Sequence, residues 1–322
     1  MTTPIQLQFA SVDGLDLYLD VYLPPAASES AKVPVCLWWH GGGLLQGTRK
    51  GKQSMPPLYY LIPYNVAVSP HHLSAPEKHN ICLVSADYRL APQTRLPGIL
   101  SDCKAALEFL SSDAFKTATN NAVDASKVVV SGSSAGGWLC LLAGTGIGYA
   151  ACGLAPPPKV SGIAALYPIT DLADPFWTTK QHPVSYLPRV IPDEEVASFV
   201  DPTSQKLAFT AVESPRAIFY HYMVQEGILE HLLLDGTGIP SAAFGIAPQL
   251  RTGAFTVPPV FQIHGDIDDK VPVRQARDVE AALKEIKADC IYEELPNVNH
   301  LFDKDPKEQM ESMWAFIAKV TN

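Results

Sequence analysis

Short, almost wholly apolar runs alternate along this chain with segments whose apolar residues recur at helical spacing. Residues 5–9 and 15–21 alternate apolar with polar positions around an Asp13-Gly14 turn signal, which predicts a β-hairpin. Residues 33–39, 81–88, 127–131, 160–167, 260–264 and 291–295 read as strands, most of them continuous apolar runs buried on both faces. Between them, Ile99, Leu100, Cys103, Ala106, Leu107 and Leu110 fall on one helical face, and 273–288 and 306–320 are amphipathic. Strands alternating with helices predict an α/β fold, with a mostly parallel central sheet flanked by helices.

Two stretches break this rhythm. Residues 44–80 are irregular and rich in proline, tyrosine and histidine. Residues 171–253 carry many prolines and aromatics, with helical patterns near 193–199 and 216–234 and no strand of the main sheet. The expectation is a single domain over 1–322 with a mainly helical cap inserted at 171–253. The last helix places Met310, Met313, Trp314 and Ile317 in its core.

Composition narrows the class. Hydrophobic content of 47% with 18% charged residues suits a soluble enzyme with a substantial core. A net charge of −9 without a basic stripe argues against a nucleic-acid partner. No apolar stretch approaches the roughly 20 residues of a membrane-spanning helix. The start, Met1-Thr2-Thr3-Pro4, has neither the basic nor the apolar region of a secretory signal, so a cytoplasmic location is expected. The six cysteines are scattered and lie mostly in apolar runs, which reads as buried free thiols. His71-His72, His182, His221 and His231 match no zinc spacing, so they read as solvated or pocket-lining residues and no metal is expected.

The candidate chemistry sits at strand ends. The apolar run 128–130 stops at Gly132-Ser133-Ser134-Ala135-Gly136, a G-x-S-x-G pattern that lifts a serine above a sheet on a strained strand-to-helix turn. Ser134 is the candidate nucleophile. Upstream, His40-Gly41-Gly42-Gly43 leaves a strand as an HGGG-type oxyanion element, with the amides of Gly42, Gly43 and Ala135 as expected donors. Downstream, His264–Pro272 offers Asp266 and Asp268 as acids, and spacing alone leaves either open; Asp269 reads as an acidic cap on the following helix. His300, in a loop after the last strand, is the candidate base. Serine, acid and histidine fall in the chain order of an α/β hydrolase.

These blocks, together with Asp87-Tyr88-Arg89-Leu90-Ala91-Pro92, Leu96-Pro97 with Asp102, Leu166–Asp171 and Asn299-His300-Leu301-Phe302, run in order along nearly the whole chain. They resemble the hormone-sensitive-lipase-like group of α/β hydrolases, which includes many carboxylesterases. The resemblance implies the α/β-hydrolase fold and favours Asp268 as the acid. It also departs from the family at two points. Ser133 stands where that group usually carries aspartate, and His40 comes too early for the usual N-terminal cap, so 44–80 and 171–253 are expected to cover the site. Tyr88 and Arg89 are expected to fix strand and loop geometry.

The implied activity is hydrolysis of a carboxylic ester through a Ser134 acyl-enzyme, with no cofactor and a small-molecule acyl substrate as partner. Thioester release, acyl transfer and aryl-formamide hydrolysis share the same triad. A non-catalytic ligand-binding protein on this fold is the remaining reading, and a homodimer stays open.

Overall fold

Among the described residues (3–50, 67–211 and 214–322), the computed structural model holds eight strands in one sheet. In chain order they are β1 (Ile5–Val12), β2 (Leu15–Tyr22), β3 (Val33–Trp39), β4 (Cys82–Ala86), β5 (Val123–Ser133), β6 (Gly162–Leu166), β7 (Val260–Gly265) and β8 (Cys290–Leu295). Across the sheet they lie β1-β2-β4-β3-β5-β6-β7-β8. Strand β2 runs antiparallel to both neighbours, and every pair from β4 to β8 is parallel.

The continuous apolar runs follow from burial on both faces. Val35, Leu37 and Trp39 of β3 point to one face with Val128 and Val130 of β5 and Ile163 of β6. Cys36 and Trp38 point to the other, with Val129, Ala164 and Phe261. The first face is covered by α2 (Leu96–Phe109), α4 (Ala135–Thr145) and α10 (Val273–Glu285). The second is covered by α1 (Pro70–His79) and α11 (Glu311–Thr321), the latter through Met313, Trp314, Phe316 and Ile317. Parallel neighbours need crossover connections, and these helices supply the apolar cover that a two-sided sheet requires.

Residues 171–253 hold only helices and turns among the described residues. The helices are α5 (Pro175–Thr178), α6 (Ala197–Val200), α7 (Ala217–Glu226), α8 (Leu229–Leu234) and α9 (Ile246–Arg251). Their apolar side chains, among them Phe219, Met223, Leu232 and Leu250, belong to the same buried cluster as the first face of the sheet. Trp138 of α4 donates its indole N–H to the Phe244 carbonyl at 3.2 Å. Buried Arg216 donates to the carbonyls of Leu45 and Ala91 and to Gln93 Oε1, each at 2.7 Å. No helix among the described residues is long and apolar enough to cross a membrane. All six cysteines are free; four are fully buried, and Cys152 and Cys290 are half-buried.

Several boundaries differ from the pattern reading. The stretch 44–80 contains α1, hidden from periodicity because Pro70 opens it, Pro76 sits inside it and two histidines lie on its buried face. Residues 51–66 of that stretch, including Pro56-Pro57, Tyr59-Tyr60 and Pro63, lie outside the described residues. The helical pattern at 216–234 is two helices, because Gly227 adopts φ 64 and turns the chain between α7 and α8. The last helix starts at Glu311 instead of 306, since Met310 takes a left-handed φ of 53 and ends the turns before it. Helix α3 (Asp113–Ala118), capped by the Ser112 side chain, carries too short a pattern to read.

Candidate active site

Ser134 stands between the end of β5 and the first residue of α4 with φ 57 and ψ −123, a conformation that costs a non-glycine residue about 1–3 kcal/mol. Neighbouring backbone holds it there: its amide donates to the Leu166 carbonyl at 2.9 Å, and its own carbonyl accepts from Trp138 and Ile169. A Cβ on Gly136 would run into the Trp39 carbonyl oxygen, so only glycine lets α4 pass this close to the end of β3. That is why the turn is built of small residues.

The glycine loop leaves β3 beside this turn. Gly42, at φ 99, lines the same cavity as Ser134, together with Gly41. Of the other two expected donors, Ala135 opens α4, where amides have no intrahelical partner, and Gly43 packs under the Tyr220 ring. His40 is fully buried, and burial brings its imidazole down to about 4, so the ring is neutral. Its Nδ1 lies 2.8 Å from the Gly41 carbonyl and 3.0 Å from the Tyr88 hydroxyl, which also donates to the His40 carbonyl at 2.8 Å. The Arg89 guanidinium in turn clasps buried Asp102 through Nε and Nη2, and reaches Asp13 through Nη1.

The loop after β7 separates the two candidate acids. Asp268 is buried, and its Oδ1 accepts the amides of Lys270 and Val271 at 2.8 and 2.9 Å. Its Oδ2 lies 2.6 Å from His300 Nδ1 and 3.2 Å from His264 Nε2. Burial alone would raise this carboxyl, but His300 and His264 beside it hold it well below the usual carboxylate range. Asp266 instead accepts the Asn297 amide at 2.6 Å and braces the turn before His300. Asp269, expected as a helix cap, does not cap α10, whose N-cap residue is Pro272; its carboxylate pairs with Lys270 Nζ at 2.8 Å. Asn299 Oδ1 accepts from the Asp269 and His300 amides, tying the acid loop to the histidine loop.

The cavity is lined by Ser134 and His300 with Gly41, Gly42, Gln46, Ser133, Tyr220, His221, Lys270, Leu301 and Lys304. Tyr220 and His221 come from α7, so the inserted stretch supplies one wall. Burial, with Lys270 nearby, takes His221 down to about 4 and leaves it neutral. The sequence reading of His221 as a solvated or pocket-lining residue agrees with its place on this wall, whereas it gave Tyr220 and His264 no individual role. The signal for His264 was present, because it ends β7 four residues before Asp268. His182 and His231 pair with Glu226 and Asp235 on the surface. His71 and His72 are not solvated and do not line the cavity at Ser134: both are buried in α1 against Trp314, and His72 also meets Trp38.

Residues 19–187, just over half of the chain, match the family model described as BD-FAE. Among curated proteins, the non-reducing polyketide synthase ascC of Acremonium egyptiacum is 28% identical over 317 residues, covering 92% of this chain. The chain spans 14% of that protein's length. An α/β hydrolase superfamily protein from Enterococcus faecalis superposes with a TM-score of 0.64 at 19% identity, covering 99% of this chain and 98% of its own. Thermogutta terrifontis esterase 2, in a form phosphonylated by sarin, superposes with a TM-score of 0.61 at 17% identity, covering 98% and 93%. The fold is that of an α/β hydrolase.

Proposed function

This chain belongs to the BD-FAE family, and from that footing we propose that it is a serine hydrolase cleaving a carboxylic ester through a Ser134 acyl-enzyme. One observation carries the reading: His300 shares a cavity with Ser134 while its Nδ1 lies 2.6 Å from the buried Asp268 carboxylate. That carboxylate fixes the tautomer with Nε2 free to accept a proton and stabilises the imidazolium that results. His300 takes the Ser134 hydroxyl proton as Oγ bonds to the substrate carbonyl carbon. The tetrahedral oxyanion is held by the amides of Gly42, Gly43 and Ala135. His300 then gives its proton to the leaving alkoxide, and the C–O bond breaks. Water repeats the sequence on the acyl-enzyme and releases the acid. Hydrolysis needs neither a cofactor nor a metal for this route.

The same machinery suits a second substrate class, an acyl thioester, in which a thiol replaces the alcohol as leaving group. Both readings stand on Ser134. The test is labelling with a fluorophosphonate probe, alongside hydrolysis of p-nitrophenyl acetate and of an aryl thioester. Wild-type protein is expected to carry one adduct on Ser134, and Ser134→Ala to lose labelling and turnover together. An unlabelled, folded wild-type protein overturns the proposal. The ratio of ester to thioester turnover decides between the two substrates.

A further inference from the structure

Ser133 stands where the family that the sequence resembles usually carries aspartate, and the cycle above gives it no part. Its surroundings supply one. Ser133 ends β5 opposite Leu166 of β6, and the next residue of that chain, Tyr167, is fully buried with its backbone in the left-handed region at φ 37. Such a conformation is unusual for an aromatic residue and persists only where surrounding contacts impose it. The Tyr167 amide donates to the Ile263 carbonyl at 2.7 Å. Its hydroxyl donates to Asp303 Oδ1 and also meets the Ser133 side chain. Its ring centre lies 4.4 Å from that of His300, with the planes tilted by 60°, and Phe302 packs edge-on behind it.

Asp303 is fully buried and is not a lining residue of the cavity. Its Oδ2 accepts from Ser69 Oγ and lies 3.6 Å from His71 Nε2 and 3.7 Å from Lys304 Nζ. Burial opposes its charge, but Lys304, His71 and Ser69 hold the carboxyl well below its ordinary range, so it is an anion. A phenol donating to a buried carboxylate carries extra electron density, and its ring attracts a neighbouring cation more strongly. The cation formed in the cycle is the His300 imidazolium.

Resting on the Ser134 reading, we propose that Tyr167 is a positioning residue for His300, and that the Ser133–Tyr167–Asp303 chain stands in for the carboxylate expected at position 133. Asp303 fixes the hydroxyl from its buried position with the Ser133 side chain beside it, and this holds the ring against the imidazole. The titratable and charged groups around His300 are then Asp268 with His264 behind it, and Lys270, Lys304 and the neutral His221 across the cavity. None of these changes when the Tyr167 hydroxyl alone is removed.

The experiment compares wild type with Tyr167→Phe and Asp303→Asn, reading kcat, KM, the pH profile of kcat/KM, the thermal midpoint and the fluorophosphonate labelling rate. Tyr167→Phe is expected to lower kcat roughly tenfold with KM unchanged and to move the acidic limb of the profile to lower pH. Labelling should slow in parallel, and Asp303→Asn, if it folds, should show the same pattern. Wild-type kcat and an unmoved acidic limb in Tyr167→Phe, in protein that still labels at Ser134, overturn this inference alone. Loss of thermal stability with an unmoved limb and unchanged kcat reduces Tyr167 to a packing residue and overturns it equally. A wild-type protein without a Ser134 adduct removes the hydrolase reading instead.

Discussion

Asp268 meets His300 Nδ1 at 2.6 Å through the same carboxylate oxygen that lies 3.2 Å from His264 Nε2. Its other oxygen is occupied by two backbone amides, so the carboxylate cannot rotate away from the histidines. Asp266, two residues earlier, spends its hydrogen bonding on the Asn297 amide. Asp268→Asn is therefore expected to lower kcat by roughly 10³–10⁴-fold, the scale of losing the tautomer-fixing acid in a triad. Asp266→Asn should stay within a few-fold of wild type. Steady-state kinetics on both variants checks the assignment, and equal losses would count against it.

Arg216 joins the inserted stretch to the glycine loop by donating to Leu45, Ala91 and Gln93 from a buried position. Arg216→Met keeps the volume but leaves three buried acceptors unpaired, a change expected to cost about 3–5 kcal/mol. Because the Leu45 carbonyl belongs to the loop carrying Gly42, kcat should fall as well. Urea unfolding and kinetics on the same preparation separate the two effects; an unchanged unfolding midpoint would show that water replaces the guanidinium.

Gly136→Ala adds one carbon where the Trp39 carbonyl already sits. The strand-to-helix turn at Ser134 (the nucleophile elbow) must open or β3 must shift, and either moves Ser134 relative to the loop at Gly42. The expected outcome is poor folding or, in any soluble fraction, loss of fluorophosphonate labelling. A stable, fully labelled Gly136→Ala would mean that the elbow relaxes more readily than its packing implies.

Acid should destabilise this protein above the range in which Asp268 and Asp303 titrate, with buried Asp87, raised to about 6, opposing part of the effect. Burial lowers His40 to about 4, His72 well below its ordinary value and His71 below it too. Between the unfolded value near 6.5 and the lowered folded values, the unfolded chain binds more protons, so stability rises with pH in that window. The contribution is complete above about 6.5 and is lost as pH falls toward 4; His40 alone accounts for about 3 kcal/mol. The depressed carboxyls of Asp268 and Asp303 act in the same direction but only below about pH 4. Urea midpoints at pH 7.5 and 5.5 should differ measurably, with the lower one at 5.5. Equal midpoints would mean that these rings accept protons without unfolding.

Local pattern carried far in this chain because the parallel sheet is buried on both faces. The run at 33–39 is apolar throughout, 127–131 is centred on Val128-Val129-Val130, and the serine turn and the glycine loop use residue types that the backbone geometry itself demands. Ser134, Asp268 and His300 were therefore legible as candidates from motif, order and resemblance. Helix α1 was not, because its prolines and buried histidines obey contacts with Trp38, Trp314 and Asp303, which lie far away in the chain. The cavity wall at Tyr220 and His221, the clasp of Arg216, the second histidine on Asp268 and the Tyr167–Asp303 contact likewise join segments that only folding brings together. What the sequence determined by itself was each element and the residues at its ends, since propensity, turn chemistry and hydrophobic period act within a few residues. Which side chains meet across those ends was decided by tertiary packing, because burial makes distant polar groups seek one another once water is excluded.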